Sequence, residues 1–323
     1  MYNVEIFIYD QAVGLDIMGP MEVFAAANVI YQQKTKGKPA YQVVLSADKA
    51  GLITLSSGVQ IQATRSLGRG AGSDYFVLVG GFDFESLCAD RRLLDRLRKR
   101  AARSRRLVSV CTGAFLLAAT GLLEGKACTT HWGYSRRLAR EYPNINVQPD
   151  AIYIQDGNTY SSAGVTAGID LALALVEQDY GVQLAMEVAR SLVLYLRRPG
   201  GQSQFSSPLA LRQSVGSSFS ALHNWLLEDI SRAVQVEQMA DYCCMSPRHF
   251  ARRFTEETGM TPAKYLEKLR LEHARELLES TAQTVESIAQ RSGFGREERL
   301  RRTFLKILGV SPSIYRQHFG LSV

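Results

Sequence analysis

The chain has 323 residues, 46% of them hydrophobic, and a formal net charge of +7 at pH 7. Those values exclude a disordered or collagen-like chain and are sufficient for two separately packed cores. No apolar run is long enough to cross a bilayer, and five cysteines, an odd number without a C-x-x-C spacing, argue against a disulfide framework or a zinc cluster. The amino terminus enters a strand pattern directly, without a basic segment or cleavage site, so the expectation is a cytoplasmic protein with reduced thiols and no membrane partner.

Residues 1–197 alternate strand and helix signals. NVEIFIYD and YQVVLSA read as strands, LITL and VQIQA as a short hairpin, and DYFVLVGG as a buried strand ending in two glycines. RRLLDRLRKRAARS follows as a helix whose Leu93, Leu94 and Leu97 form the apolar stripe, leaving its arginines and lysine as a solvated face. HWGYSRRLAREYP reads as a helix closed by Pro143, INV and IYIQDGNTYSSA as strands, and GVTAGIDLALALVEQDY and VQLAMEVARSLVLYLRR as long helices. This alternation predicts an α/β domain with a doubly wound, mostly parallel sheet, and such sheets bind ligands at the carboxyl ends of their strands.

Three features should converge at that edge. Gly80 and Gly81 end one strand, and Cys111 ends the next, in a strand-turn-helix pattern with Thr112, Gly113 and Ala114 at the turn. A thiol there has the geometry of a nucleophile elbow, and the free N–H groups of the following helix favour a thiolate or a bound anion. The alternative is a small buried core cysteine. Asp16 precedes a helix expected to begin near Gly19 and Pro20, where it can either serve the thiol or cap the helix.

Residues 198–218 are rich in Gly, Ser, Gln and Pro and read as a linker. From Phe219 onward the chain reads as all helix, close to charge-balanced, with an internal repeat. Phe254, Gly259, Pro262 and Tyr265 recur as Phe304, Gly309, Pro312 and Tyr315, and Arg252 recurs as Arg302. Gly259 and Gly309 suit the left-handed end of a helix, while Thr261-Pro262 and Ser311-Pro312 suit the start of the next. Two pairs of short helices therefore describe two helix-turn-helix units joined by one helix over residues 262–280, about 28 Å long.

Helical geometry selects the outward faces. With Phe250 and Phe254 inward, Arg248 and Arg252 point away; with Leu300 and Phe304 inward, Glu298 and Arg302 point away and Arg299 lies alongside. Arginine can bond guanine bidentately and Glu can accept from cytosine. His249, Arg253, Arg296, Arg301 and Lys306 are placed for phosphates. A solvated charged face is the alternative to DNA contact for both helices.

Residues 236–319, from VEQMADYCCMSPRHFARRF through GFGREERLRRTFLKILGVSPSIYRQHF, resemble the AraC-family DNA-binding domain. Residues 1–197, through LVGG, VCTGAFLLAATGLLEGKACTTHW and SSAGVTAGIDLAL, resemble the ThiJ/PfpI, or class I glutamine-amidotransferase-like, superfamily. Together the two resemble the GlxA-type transcriptional regulators. The resemblance implies a flavodoxin-like effector-sensing and oligomerisation domain (1–197), a linker (198–218) and a double helix-turn-helix domain (219–323). It further implies promoter DNA, RNA polymerase and a small effector such as an amino acid or amine as partners, an activator role, a homodimer, and no cofactor or metal. It maps DNA contacts onto Arg248, Ala251, Arg252, Glu298, Arg299 and Arg302. By similarity to isonitrile hydratases, Asp16, Cys111 and Thr112 match a catalytic trio. Many relatives carry His directly after the cysteine, and Thr112 stands there instead, so a Cys-His hydrolase is not expected. The reading is therefore a regulator rather than an enzyme, its effector pocket outlined by Asp16, Gly80, Gly81, Cys111, Thr112, His131 and Trp132. An ordinary helix-start role is the alternative for His131.

Overall fold

The computed structural model describes residues 1–196, 201–202 and 217–320. The chain divides into two compact units, Met1–Arg198 and Pro199–Val323. The stretch read as a linker, 198–218, lies outside the described residues except at 201–202 and 217–218.

The first unit is built on a seven-stranded sheet. In chain order its strands are β1 (Tyr2–Phe7), β2 (Tyr41–Ala47), β5 (Arg65–Ser66), β6 (Tyr75–Leu78), β7 (Arg106–Val110), β10 (Tyr153–Asp156) and β11 (Thr159–Ser162). The spatial order is β10-β11-β7-β6-β1-β2-β5, parallel throughout except for the antiparallel β10–β11 pair. The hairpin read from LITL and VQIQA forms as β3 (Gly51–Thr54) with β4 (Gln60–Ala63), and β8 (Ala127–Cys128) pairs with β9 (Asn146–Val147). Helices α1 (Gly14–Thr35), α2 (Phe84–Ala89), α3 (Arg91–Ala101), α4 (Gly113–Ala119), α5 (Ser135–Glu141), α6 (Ala167–Tyr180) and α7 (Val182–Ser191) complete the unit. β6 is buried along its whole length, as a strand covered on both faces must be.

Four details differ from the sequence reading. α1 begins at Gly14, not near Gly19, and encloses Pro20. Proline removes an i→i−4 donor, so this start leaves the Asp16 carbonyl without its helical partner, but it puts the Asp16 side chain in the first turn. α1 and α6 also approach closely there: a Cβ on Gly19 would lie 2.8 Å from Ile169 Cγ1. α5 begins at Ser135, because a turn comes first, with the Tyr134 amide on His131 O (2.8 Å) and the Gly133 amide on His131 Nδ1 (3.2 Å). α7 stops at Ser191: the apolar run Leu192–Leu196 then alternates, with Leu192, Leu194 and Leu196 packed on the core and Val193 and Tyr195 exposed. Arg100 on α3, assigned to the solvated face, is buried with Glu5 of β1, donating to Oε1 from Nε at 3.1 Å and pairing with Oε2 through Nη2. A buried charge requires such a partner, and the partner lies far away in sequence.

The second unit contains α8 (Ser220–Glu228), α9 (Val236–Tyr242), α10 (Pro247–Thr258), α11 (Pro262–Ser280), α12 (Val285–Arg291), α13 (Glu297–Leu308) and α14 (Pro312–Phe319). The caps expected at Thr261, Ser311, Gly259 and Gly309 form, and Ser246 and Thr284 add two more. The hydroxyls of Ser246, Thr261, Thr284 and Ser311 accept from amides three residues on, and Gly259 and Gly309 end their helices at φ of 73° and 72°. α11 passes through two cores: Leu266 and Leu269 pack with Phe250, Phe254 and Met239, while Leu271, Leu277 and Leu278 pack with Leu300, Phe304 and Ile288.

Candidate functional site

Cys111 stands where β7 turns into α4, at φ 58°. A non-glycine residue in that region is strained and persists only because its surroundings over-determine it. Those surroundings are the carboxyl ends of three adjacent strands. The Cys111 amide donates to Ser162 O at the end of β11 (3.1 Å), and its carbonyl accepts from Thr130 Oγ1 (2.8 Å). α4 starts hard against β6, since a Cβ on Gly113 would lie 2.1 Å from Leu78 O.

Five of the residues singled out from sequence meet here. Asp16 is fully buried; its Oδ2 accepts from the Gly80 amide (3.0 Å) and its Oδ1 from the Val165 amide (2.9 Å). The Thr112 hydroxyl accepts from the Gly81 amide (3.1 Å) and donates to Gly81 O (3.2 Å). Gly80 is required by close approach, because a Cβ there would lie 2.7 Å from both Asp16 Oδ2 and Cys111 Cβ. The Cys111 thiol is close enough to the Asp16 carboxylate to feel its charge. His131 and Trp132 follow Thr130: His131 accepts from the Gly133 amide, and its ring lies against Trp132 and Tyr134.

Sequence reasoning missed the other wall. Gly164, at φ 117°, passes so close that a Cβ would fall 2.6 Å from Cys111 Cβ and 2.7 Å from its Sγ, and Val165 beside it takes a φ of 45°. The signal was the glycine at the end of β11 within SSAGVTAG. Tyr9, after β1, was missed as well; its hydroxyl donates to Val79 O (3.3 Å). It also lines a cavity of about 480 Å³ at the same sheet edge, with Asp10, Asp48, Asp83, Leu87 and Leu93.

The electrostatics reverse one expectation. Burial, and after it the Asp16 charge, push the Cys111 thiol well above the ordinary range, so the helix start does not produce a thiolate. The reasons are that the thiol is 7% exposed and faces a carboxylate. Burial also raises Asp16 to about 6, against the pull of its two backbone donors. At neutral pH the pair is therefore a protonated thiol beside a carboxylate. His131 is pulled down by burial.

In the second unit, α10 and α13 present matching faces. Phe250, Phe254, Leu300 and Phe304 are buried, while Arg248, His249, Arg252 and Arg253 of α10 are exposed, as are Glu298, Arg299, Arg301, Arg302 and Lys306 of α13 and Arg296 at its cap. Ala251 is half-buried. The exposed charges hold each other loosely: Arg252 Nε is 3.9 Å from Glu256, Arg302 Nε 3.5 Å from Glu298, and Lys306 Nζ 3.4 Å from Glu267. Such surface pairs contribute about 0–1 kcal/mol each and are readily exchanged for phosphates or bases.

A strained cysteine elbow on an α/β sheet, in a chain that also carries paired helix-turn-helix units, defines the class. A DJ-1/PfpI family model matches residues 3–178 and a helix-turn-helix domain model matches residues 239–318. The HTH-type transcriptional regulator GlxA of Rhizobium meliloti is 28% identical over 310 residues, covering 93% of this chain and 90% of that protein. An isonitrile hydratase of Pseudomonas putida is 34% identical over 192 residues, covering 59% of this chain and 77% of that protein. A ThiJ/PfpI family crystal structure from Pseudomonas syringae superposes with a TM-score of 0.55 at 24% identity, covering 70% of this chain and 86% of that one. The chain belongs to the DJ-1/PfpI family and joins that domain to an AraC-type helix-turn-helix domain, the arrangement of the GlxA-type regulators.

Proposed function

We propose that this protein is a sequence-specific DNA-binding transcriptional regulator, acting as an activator with RNA polymerase, whose first unit receives a small amino acid, amine or related metabolite at the sheet edge around Cys111 and Asp16. The observation that carries the reading is the pair of helix-turn-helix units with matching glycine helix ends, buried phenylalanines and exposed arginine faces, joined by the 19-residue helix α11. At about 28 Å, that helix approaches the roughly 34 Å between successive major-groove faces. Arg248, Ala251, Arg252, Glu298, Arg299 and Arg302 face the bases, and His249, Arg253 and Arg296 the phosphates. Assembly is as a cytoplasmic homodimer through the first unit; among the described residues no helix is long and apolar enough to cross a membrane. The test is selection of duplexes from a randomised library by the full chain. A recovered consensus with two blocks supports the reading, and recovery of unrelated sequences defeats it.

The Asp16–Cys111 pair, in a chain 34% identical over 192 residues to an isonitrile hydratase, favours a second reading: a cysteine-dependent hydratase or amidase carrying a DNA domain. The raised thiol and the absence of a histidine among its hydrogen-bond partners weigh against it. Turnover of an isonitrile, nitrile or amide that Cys111→Ser abolishes would establish it.

A further inference from the structure

Arg270 lies on α11 between Leu269, which belongs to the first helix-turn-helix core, and Leu271, which belongs to the second. It is 8% exposed, and among the described residues no carboxylate pairs with it; its guanidinium is spent on backbone carbonyls of the turn between α8 and α9. Nη2 donates to Arg232 O at 2.7 Å and Nε to Ile230 O at 3.4 Å. Ile230 is itself part of the first core, and the Arg232 guanidinium lies over the Trp225 ring at 5.5 Å.

The other side of the same guanidinium meets the second helix-turn-helix turn. A Cβ on Gly293 would fall 2.4 Å from Ile230 O and 2.6 Å from Arg270 Nε. The matching turn of the first helix-turn-helix shows that the turn itself does not demand glycine. Cys244 holds that place at φ 53°, where Gly293 has 77°, and the bonds are equivalent: Cys244 and Met245 amides to Asp241 O and Ala240 O, Gly293 and Phe294 amides to Gln290 O and Ala289 O. Cys244 is exposed, so a side chain fits there. The glycine in the second turn therefore answers to the approach of Ile230 and Arg270, and α13 begins four residues beyond it. A cavity of about 440 Å³ adjoins this point, lined by Arg270, Gly293, Gly295 and Arg299.

We propose that Arg270 and Gly293 form a joint that fixes the angle between α10 and α13, making Arg270 the positioning residue through which the protein measures the spacing of its two DNA segments. An arginine suits the task because its rigid fork reaches two carbonyls at once, which a lysine ammonium on a flexible stem does not reproduce. The proposal rests on the reading that each unit engages its own groove segment.

The probes are a duplex selected by the wild-type full chain, the same duplex with one base pair inserted between its two blocks, about 3.4 Å and a tenth of a turn, and two duplexes each keeping a single block. Arg270→Lys and Gly293→Ala are each compared with wild type. The expected result is that wild type's preference for the selected spacing over the inserted one shrinks about tenfold in both variants, a coupling of the size found between contacting groups, while single-block affinities stay within about twofold. A spacing preference equal to wild type's in variants that melt cooperatively overturns the proposal. So does an equal loss on all four duplexes, or failure of both variants to melt cooperatively, which assigns the residues to stability alone. If the wild-type chain selects no two-block duplex, the failure belongs to the DNA-reading assignment instead.

Discussion

The cysteine elbow and the two reading helices spend their polar groups in opposite ways. At the elbow nearly every donor and acceptor is committed to the fold: Asp16 to Gly80 and Val165, Thr112 to Gly81, the Cys111 backbone to Ser162 and Thr130. On α10 and α13 the charged groups face solvent and hold one another at 3.4 Å or more. Substitution at the first region should therefore cost structure, because a buried unsatisfied group or an overpacked wall is expensive. At the second it should cost only what the helices bind.

The largest effect is expected at the elbow's tightest wall. Gly164→Ala adds a methyl within 2.7 Å of the Cys111 thiol at a φ of 117°, and overpacking with backbone strain should remove about 3 kcal/mol from the first unit. Urea unfolding followed by Trp132 fluorescence, in a Trp225→Phe background, measures it. An unchanged midpoint would show that the wall yields.

Asp16 gives a pH signature of somewhat smaller size. Its folded value of about 6 lies above the ordinary carboxylate value of 3.8, so between those values the native state holds a proton that the unfolded chain has released. The contribution of Asp16 is therefore complete below about pH 4 and is lost as pH rises to about 6, with no further change above. Asp16→Asn should flatten that slope in the same unfolding assay, at the cost of a lower midpoint throughout, since an amide cannot accept from both Gly80 and Val165 as a carboxylate does.

Arg302→Ala sharpens the contrast from the other side: about 1–3 kcal/mol lost on a selected duplex, with relaxed preference at one base pair and an unchanged melting temperature. A fall in melting temperature as large as that of Gly164→Ala would erase the distinction between the regions. Smallest of all, Arg253→Gln should weaken binding evenly across sequences and reduce the salt-dependence slope by about 1.

What the sequence made legible follows from the range over which each signal acts. Cap residues, the glycine ends of helices and the inward phenylalanines are set by neighbours within one or two turns, and the second unit built from them has the expected elements. The elbow at Cys111 was legible for the same reason, as strand, turn and helix are contiguous. Gly164 and Val165 were not, because they reach Cys111 only through the parallel pairing of β11 with β7. Arg100 escaped for a similar reason: its stretch is basic and locally amphipathic, and only the fold brings Glu5 beneath it. The start of α1 was misplaced because proline usually opens a helix, whereas here the contact between α1 and α6 holds Pro20 inside one. The thiol's protonation was misjudged because a helix start argues locally for a thiolate, while burial beside Asp16 argues against it and prevails.

Hydroxyl-radical footprinting of the full chain on a selected duplex tests the central claim most directly. Two protected blocks per subunit, centred about 34 Å apart on one face of the helix, with Arg252→Ala erasing one block and Arg302→Ala the other, is the predicted result. A single continuous block, or protection that ignores both substitutions, would contradict the account.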